Sequence, residues 1–413
     1  MPLASTGHRH DRTRPMRKPA LSFIFITLVL DILGIGLIVP VLPDLVKHFQ
    51  GGDIADASHT YGLLASVYAL MQFVFAPILG SLSDKYGRRP VILISLLGSG
   101  LDYLLLAFAP NLAWFFVGRV IAGITGANFS AATAYIADIS PPEKRAANFG
   151  LVGAAFGLGF IIGPALGGVL GSIDMRLPFI VAGVLTLINW LYGWFVLPES
   201  LGQEHRREFS WGKANPVGAL IDLARHPMLL GLASAYFLLC VAHQVYPSTW
   251  VLYTGHRYGW SELDTGLSLA AVGFCAALVQ GGLTRKIMPI LGEGKAIMLG
   301  VAIAVVSFTG YGLATQGWMI YPLIVIGSIA GITTPAVQSL ISRGVGADEQ
   351  GGVQGSLTSL NSVAGIVGPY IATTLFGHFA TTTPPVPGIA FFCGAALNLL
   401  ALGVAFRSLR KSS

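Results

Sequence analysis

Long apolar runs separated by short polar turns dominate the chain from Ala20 to Val404. A helix rises about 1.5 Å per residue, so about 20 apolar residues cross a bilayer. Runs of that length stand at Ala20–Val41, Tyr61–Ser81, Pro90–Ala109, Leu112–Ile136, Phe149–Leu170 and Leu177–Leu197. A second set stands at Pro227–Tyr253, Leu263–Leu283, Ala296–Ala314, Met319–Ile341, Gln354–Phe376 and Gly388–Val404. Between the sets, Pro198–Arg225 carries Glu199, Glu204, Arg206, Arg207, Glu208, Lys213 and Asp222 among Gly and Pro, and cannot be a span. The pattern predicts an all-α polytopic membrane protein with twelve transmembrane helices in two six-helix bundles. The expected order is a tail (1–17), a bundle (18–198), a linker (199–225), a second bundle (226–406) and a short tail (407–413). The first run competes with a signal peptide, but it is too long for one, contains Asp31 and lacks an A-x-A-like cleavage site.

Composition agrees. The chain is 54% hydrophobic and 11% charged with a mean hydropathy of +0.69, against about 25% charged in soluble chains. Its net charge of +6 is spread over short loops rather than gathered on one face, which argues against nucleic acid as a partner. Of the 25 Lys and Arg, only Lys47, Arg176 and Arg257 fall on one side and Arg119 within a span. The remainder fall on the other side, which makes that side and both termini cytoplasmic. Cys240, Cys275 and Cys393 lie inside apolar runs and suggest free core thiols. His8 and His10 belong to a polar tail. No metal cluster, phosphate loop or nucleophile–base pair stands out, so neither a cofactor nor an enzyme is expected.

Few charges remain inside spans. Asp31, Asp102 and Arg119 sit at similar helical depths in the first, third and fourth runs. A charge at the membrane centre costs about 2.5–3.5 kcal/mol on insertion scales, so each is a candidate for proton or substrate coupling. A static ion pair that only fixes helix packing is the alternative. The turn Gly80-Ser81-Leu82-Ser83-Asp84-Lys85-Tyr86-Gly87-Arg88-Arg89 joins the second and third runs. Here Gly80 is expected to allow close helix approach, Gly87 to reverse the chain, and Asp84 to sit at a helix end and accept hydrogen bonds from the N-terminus of a facing helix. Lys85, Arg88 and Arg89 hold the turn at the cytoplasmic face. Gly281–Lys286 and Gly292–Lys295 echo it weakly in the second half. The fifth run carries Gly157, Gly163, Pro164, Gly167 and Gly168, a glycine face suited to tight helix crossing with a proline that permits a bend.

The turn, with its pattern G-x-L-x-D-x-x-G-R-R, resembles the signature loop of the major facilitator superfamily. The fifth run resembles the motif of its drug/proton antiporter branch. With Asp31–Pro43, Asp102-Tyr103, Gly118–Ala127 and Ala134–Asp138, the chain most resembles the tetracycline-efflux group of that superfamily. In the second half Gln244, Trp250, Gly266–Ala271, Gln280 and Gln354–Leu357 look similar. The resemblance implies proton-coupled efflux of a small amphipathic drug from a bacterial inner membrane, by a protein working as a monomer. Its partners would be protons, the drug and the bilayer, and the drug can arrive as a divalent-metal chelate. It implies coupling roles for Asp31, Asp102 and Arg119 and gating roles for Asp84, Arg88 and Arg89. His243, Gln244, Tyr246, Trp250 and Gln280 would line the cavity. Alternatives are an exporter or importer of another drug or metabolite, and a transport-dead sensor. In two places the chain departs from the group: its acidic residue in the ninth span is Ala304 here, and its histidine in the eighth is Ala276. The departures imply narrower tetracycline handling and one proton exchanged per cycle.

Overall fold

The computed structural model describes residues 21–127, 129–141, 145–209, 215, 217–218, 227–343 and 350–412. The tail with His8 and His10 and about half of the linker lie outside the described residues. The helices of the first half are α1 (Leu21–Ile38), α2 (Leu42–Phe49), α3 (Ile54–Tyr86), α4 (Arg88–Ala107), α5 (Leu112–Gly126), α6 (Phe129–Ile139), α7 (Arg145–Ile173) and α8 (Leu177–Val196). In the second half they are α9 (Pro227–Tyr258), α10 (Glu262–Leu278), α11 (Thr284–Leu313), α12 (Ile320–Ile329), α13 (Thr333–Arg343), α14 (Gln350–Ala380) and α15 (Ile389–Ser412). No strand occurs among the described residues.

Among the described residues, eleven segments are long and apolar enough to cross a membrane, and one of them, Glu262–Leu313, runs for 52 residues. A straight helix of that length would extend to about 78 Å, more than twice the thickness of a hydrocarbon core. Gly292 interrupts it with φ 69° and ψ 165°, a conformation that suits glycine, and so divides two spans. With that division, the described residues hold twelve candidate spans.

Several boundaries differ from the sequence reading. The second span is 33 residues long, because Asp53 caps its start by accepting from Asp56 N at 2.9 Å. The first span ends at Ile38, and Leu42–Phe49 forms a separate amphipathic helix with Pro43 in its first turn. The fourth span is divided between α5 and α6, and the tenth is interrupted by a 3-10 turn at Ala330–Ile332. A π turn at Val279–Leu283 interrupts the eighth, a local widening often found at functional sites. The expected tail from 407 is instead the last turns of α15.

Within the first half α1 packs on α7 and α8, and α4 on α5 and α8; within the second, α15 packs on α9 and α11. The halves meet along α3 with α14 and α7 with α10. On the first seam Ser66 Oγ donates to Ile366 O at 2.6 Å, and His59 Nε2 lies 3.1 Å from the Tyr370 hydroxyl. On the second, a Cβ at Gly168 would meet Glu262 O at 2.5 Å, and one at Gly266 would meet Pro164 O at 2.3 Å. Further toward the Gly80–Arg89 loop the seam opens. At Gly157 the nearest atom is Ala277 Cβ at 3.8 Å, and Gly150, Gly153, Gly281 and Gly282 have nothing within 4 Å. Along α7 and α10 the halves are therefore closed on the side away from the loop and apart on the loop side.

Gly167 and Gly168 are neighbours with different partners. A Cβ at Gly167 would meet Leu37 O of α1 at 2.2 Å, and one at Gly163 would meet Gly36 Cα at 2.8 Å. Gly163 and Gly167 hold α7 against its own half, whereas Gly168 seats it on α10.

Candidate functional site

The loop between α3 and α4 reverses at Gly87, where φ is 104°. Its charges are arranged differently from the expectation. Arg88 is only 8% exposed, so it is a buried ion-pair partner rather than a solvated anchor. Its Nη1 donates to Asp84 Oδ1 at 2.5 Å and to Ser83 Oγ at 2.6 Å, and its Nε to Asp138 Oδ2 at 3.1 Å. The N-terminus of α4 is held by Glu199, which accepts from Arg88 N at 2.8 Å and Arg89 N at 3.3 Å. At the N-terminus of α4 the acceptor is thus Glu199, while Asp84 is engaged by Arg88. A Cβ on Gly87 would lie 2.2 Å from Glu199 Oε2, so the same carboxylate explains that glycine. Ser200 Oγ donates to Asp138 at 3.0 Å and Arg207 N to Asp84 O at 3.1 Å, tying the start of the interhelical segment to the loop. At Gly80 a Cβ would make only an ordinary 3.7 Å contact with Ser130 Oγ. Close approach therefore does not require glycine there.

Inside the first half, Asp102 and Arg119 come together with Oδ2 and Nη2 4.0 Å apart, 2% and 7% exposed. The Arg119 guanidinium lies 5.8 Å from the Tyr68 ring centroid. Gly118 makes room, since a Cβ there would meet Asp102 Oδ1 at 2.8 Å. Asp31 is half-buried on α1, one turn from Gly34, which packs against the Tyr103 hydroxyl. Its charge interacts with both Tyr68 and Tyr103, as does that of Arg119. Asp102 and Arg119 thus form the ion pair, with Tyr68 and Tyr103 linking their electrostatic surroundings to Asp31. Tyr68 was not singled out in the sequence, and Tyr103 only as the neighbour of Asp102 in the resemblance.

One of the five cavity candidates, Trp250, is placed elsewhere. Trp250 is fully buried, donates from Nε1 to Ser268 Oγ at 2.9 Å and packs on Tyr246, with ring centroids 4.3 Å apart. It is a core residue because its indole nitrogen finds its partner inside the second half. Gln244 is wedged against Gly368 of α14. Around α9, Trp250 faces α10 and Gln244 faces α14. His243 lies between those directions and is exposed, so it opens on the space between the halves. Tyr246 is half-buried with an unpartnered hydroxyl among the described residues, and Gln280 is exposed within the π turn. Of the glycine motif, Gly163, Gly167 and Gly168 sit at tight crossings, while Gly157 does not. Pro164 packs its Cδ against Gly36.

The closed side carries its own acid pair across the halves. Asp44, in the first turn of α2, is pushed up to about 6 by burial and by the neighbouring Glu262 of α10, with Lys47 opposing. The Glu262 side chain packs on α7 at Gly171. Because Glu262 of the other half adds to the rise from the ordinary value of 3.8, the closed arrangement binds the proton more tightly than one that parts the two carboxylates. Its advantage is full below the ordinary value and is lost as pH rises through about 6. In the wild type, the closed fraction should fall between about pH 4 and about pH 7. Spin labels at His48 and Gly259 would report this as a changing distance distribution. Asp44→Asn should flatten the dependence; an unchanged slope in that variant would assign it to other groups.

Comparison with known proteins gives one family. The model described as Major Facilitator Superfamily matches residues 24–369. The tetracycline resistance protein of class C from Escherichia coli is 42% identical over 93% of this chain and 95% of its own. The class G protein from Vibrio anguillarum is 38% identical over 94% and 97%. Among solved structures, the human organic anion transporter MFSD10 (TETRAN) superposes with a TM-score of 0.70 at 27% identity, covering 95% of this chain and all of that one. A bacterial homologue of the human lysosomal transporter Spinster, inward-facing and unoccupied, gives 0.76 at 16% identity, covering 94% and 96%.

Proposed function

Since the chain belongs to the major facilitator superfamily, we propose that it exports a tetracycline-like drug across a bacterial inner membrane in exchange for protons. The observation that carries this reading is the buried Asp102–Arg119 pair with Asp31 beside it across Tyr68 and Tyr103, in a chain that is 42% identical to a tetracycline resistance protein. In this reading the loop side is cytoplasmic, as the distribution of Lys and Arg requires. Residues 18–198 and 226–406 act as two bundles, with the second extending into α15, and residues 199–225 join them. The arrangement described above is then open to the cytoplasm and closed outside. Asp31, Asp102 and Arg119 couple proton and drug, and His243, Tyr246 and Gln280 meet the drug. The Asp84–Arg88–Asp138 cluster, with Glu199, biases the exchange between arrangements. The protein works as a monomer and needs no resident cofactor, while a divalent cation travels with the drug as part of the cargo.

The test is proton release from everted membrane vesicles on addition of tetracycline and magnesium. Release is expected, and its absence, with release by unrelated drugs, would move the protein to a broader exporter. Ala304 of α11 supplies no carboxylate where the tetracycline group has one. Ala304→Asp is expected to raise tetracycline-dependent release above the wild type. No gain from a folded variant would show that the group is not missed.

A further inference from the structure

A cleft of about 270 Å³ lies between α4 and α8, both of the first half, away from either seam between the halves. Leu93, Ile94, Leu97, Trp190 and Trp194 line it, with Arg89 at one end. Its surroundings are open and apolar: Ile94 is 71%, Phe195 69% and Trp194 54% exposed. On helices that cross a membrane, such a surface faces acyl chains, and tryptophans mark the headgroup level. From Arg89 to Leu97 is about 12 Å of helix, so the cleft descends from that level into the hydrocarbon.

We propose that this cleft holds an anionic phospholipid of the surrounding bilayer, with its headgroup phosphate at Arg89 and an acyl chain between the two tryptophans. The guanidinium is built into place. Its Nη2 donates to Trp194 O at 2.6 Å, its Cζ lies 6.0 Å from the Trp194 ring centroid, and its backbone N is bonded to Glu199. Arg89 Nε is buried and has no hydrogen-bond partner among the described residues. The Arg89 side chain as a whole is half-buried at the mouth of the cleft, and a phosphate oxygen there supplies its cation with an acceptor of complementary charge. Glu199 accepts from the backbone N–H groups of Arg88 and Arg89 rather than from the Arg89 guanidinium. Basic sites between helices at the headgroup level are suited to anionic lipids. The site uses no residue of the second half and is separate from the transport path.

The full chain, purified in detergent with equal amounts of phosphatidylglycerol and phosphatidylcholine of one acyl length, tests this by native mass spectrometry. One phosphatidylglycerol should be retained with about fivefold preference, the effect of one cation at the membrane surface. Arg89→Gln should erase the preference. Ile94→Trp, which fills the cleft and leaves the charge, should reduce retention of both lipids. The Ile94→Trp result stands alone if Arg89→Gln does not fold. Equal retention of the two lipids by the wild type would overturn the proposal. So would undiminished retention by Ile94→Trp, or displacement of the lipid by inorganic phosphate at equal concentration.

Discussion

Asp31→Asn is expected to abolish tetracycline-dependent proton release while leaving the protein folded and inserted. The substitution keeps the size of the side chain and removes only its ability to carry a charge or exchange a proton. Asp31 shares its electrostatic surroundings with Tyr68 and Tyr103, which also feel Arg119. A carboxylate at this depth costs about 2.5–3.5 kcal/mol on insertion scales, so a purely structural role would favour its loss. Folding should therefore be unharmed, as read by the melting temperature in detergent. Tetracycline binding, measured separately, should weaken less than coupling does. Wild-type proton release by Asp31→Asn would remove this residue from the mechanism and transfer its role to Asp102.

The second large effect concerns stability. Arg119→Leu removes the cation beside Asp102, whose side chain is 1% exposed. Leaving one member of a buried pair uncompensated costs about 3–5 kcal/mol. That is a large share of a typical stability of about 5–15 kcal/mol. The single variant should therefore express poorly and melt early. The double variant Arg119→Leu, Asp102→Leu should recover most of the loss, because replacing both charges removes the desolvation penalty. It should still fail to couple protons. If the double variant is as unstable as the single one, the pair does not account for the loss and the contact with the Tyr68 ring does.

Much of the fold was legible because the bilayer imposes a length on every span. Runs of about 20 apolar residues survive local irregularity, so the spans could be read even where helices break internally. The breaks themselves were not legible. Nothing in Val279–Leu283 distinguishes a π turn from an α-helical one, and Gly126 and Ala330 look like ordinary small residues of a membrane helix. The intramembrane charges could be found from their rarity alone. Their partners were harder, because tyrosines such as Tyr68 and Tyr103 occur in membrane helices for many reasons. Glu199 was assigned to a polar linker, since its partners at Arg88 and Arg89 lie more than a hundred residues earlier. Trp250 was a cavity candidate by resemblance alone, and a helix period cannot tell which of two apolar faces looks inward to a core.

The adjacent glycines of α7 carry a consequence for genetics. Gly167 abuts Leu37 of the same half, and Gly168 abuts Glu262 of the other. An alanine at the first strains a permanent crossing; at the second it strains a contact that exists only while the halves are closed on that side. In a comprehensive substitution library, positions facing α1 should depress cellular abundance, and drug resistance should fall in proportion. Positions facing α10 should leave abundance near normal and lower resistance alone. One helix would thus show two sensitivity profiles offset by a single residue, separating inherited defects of assembly from defects of the working cycle.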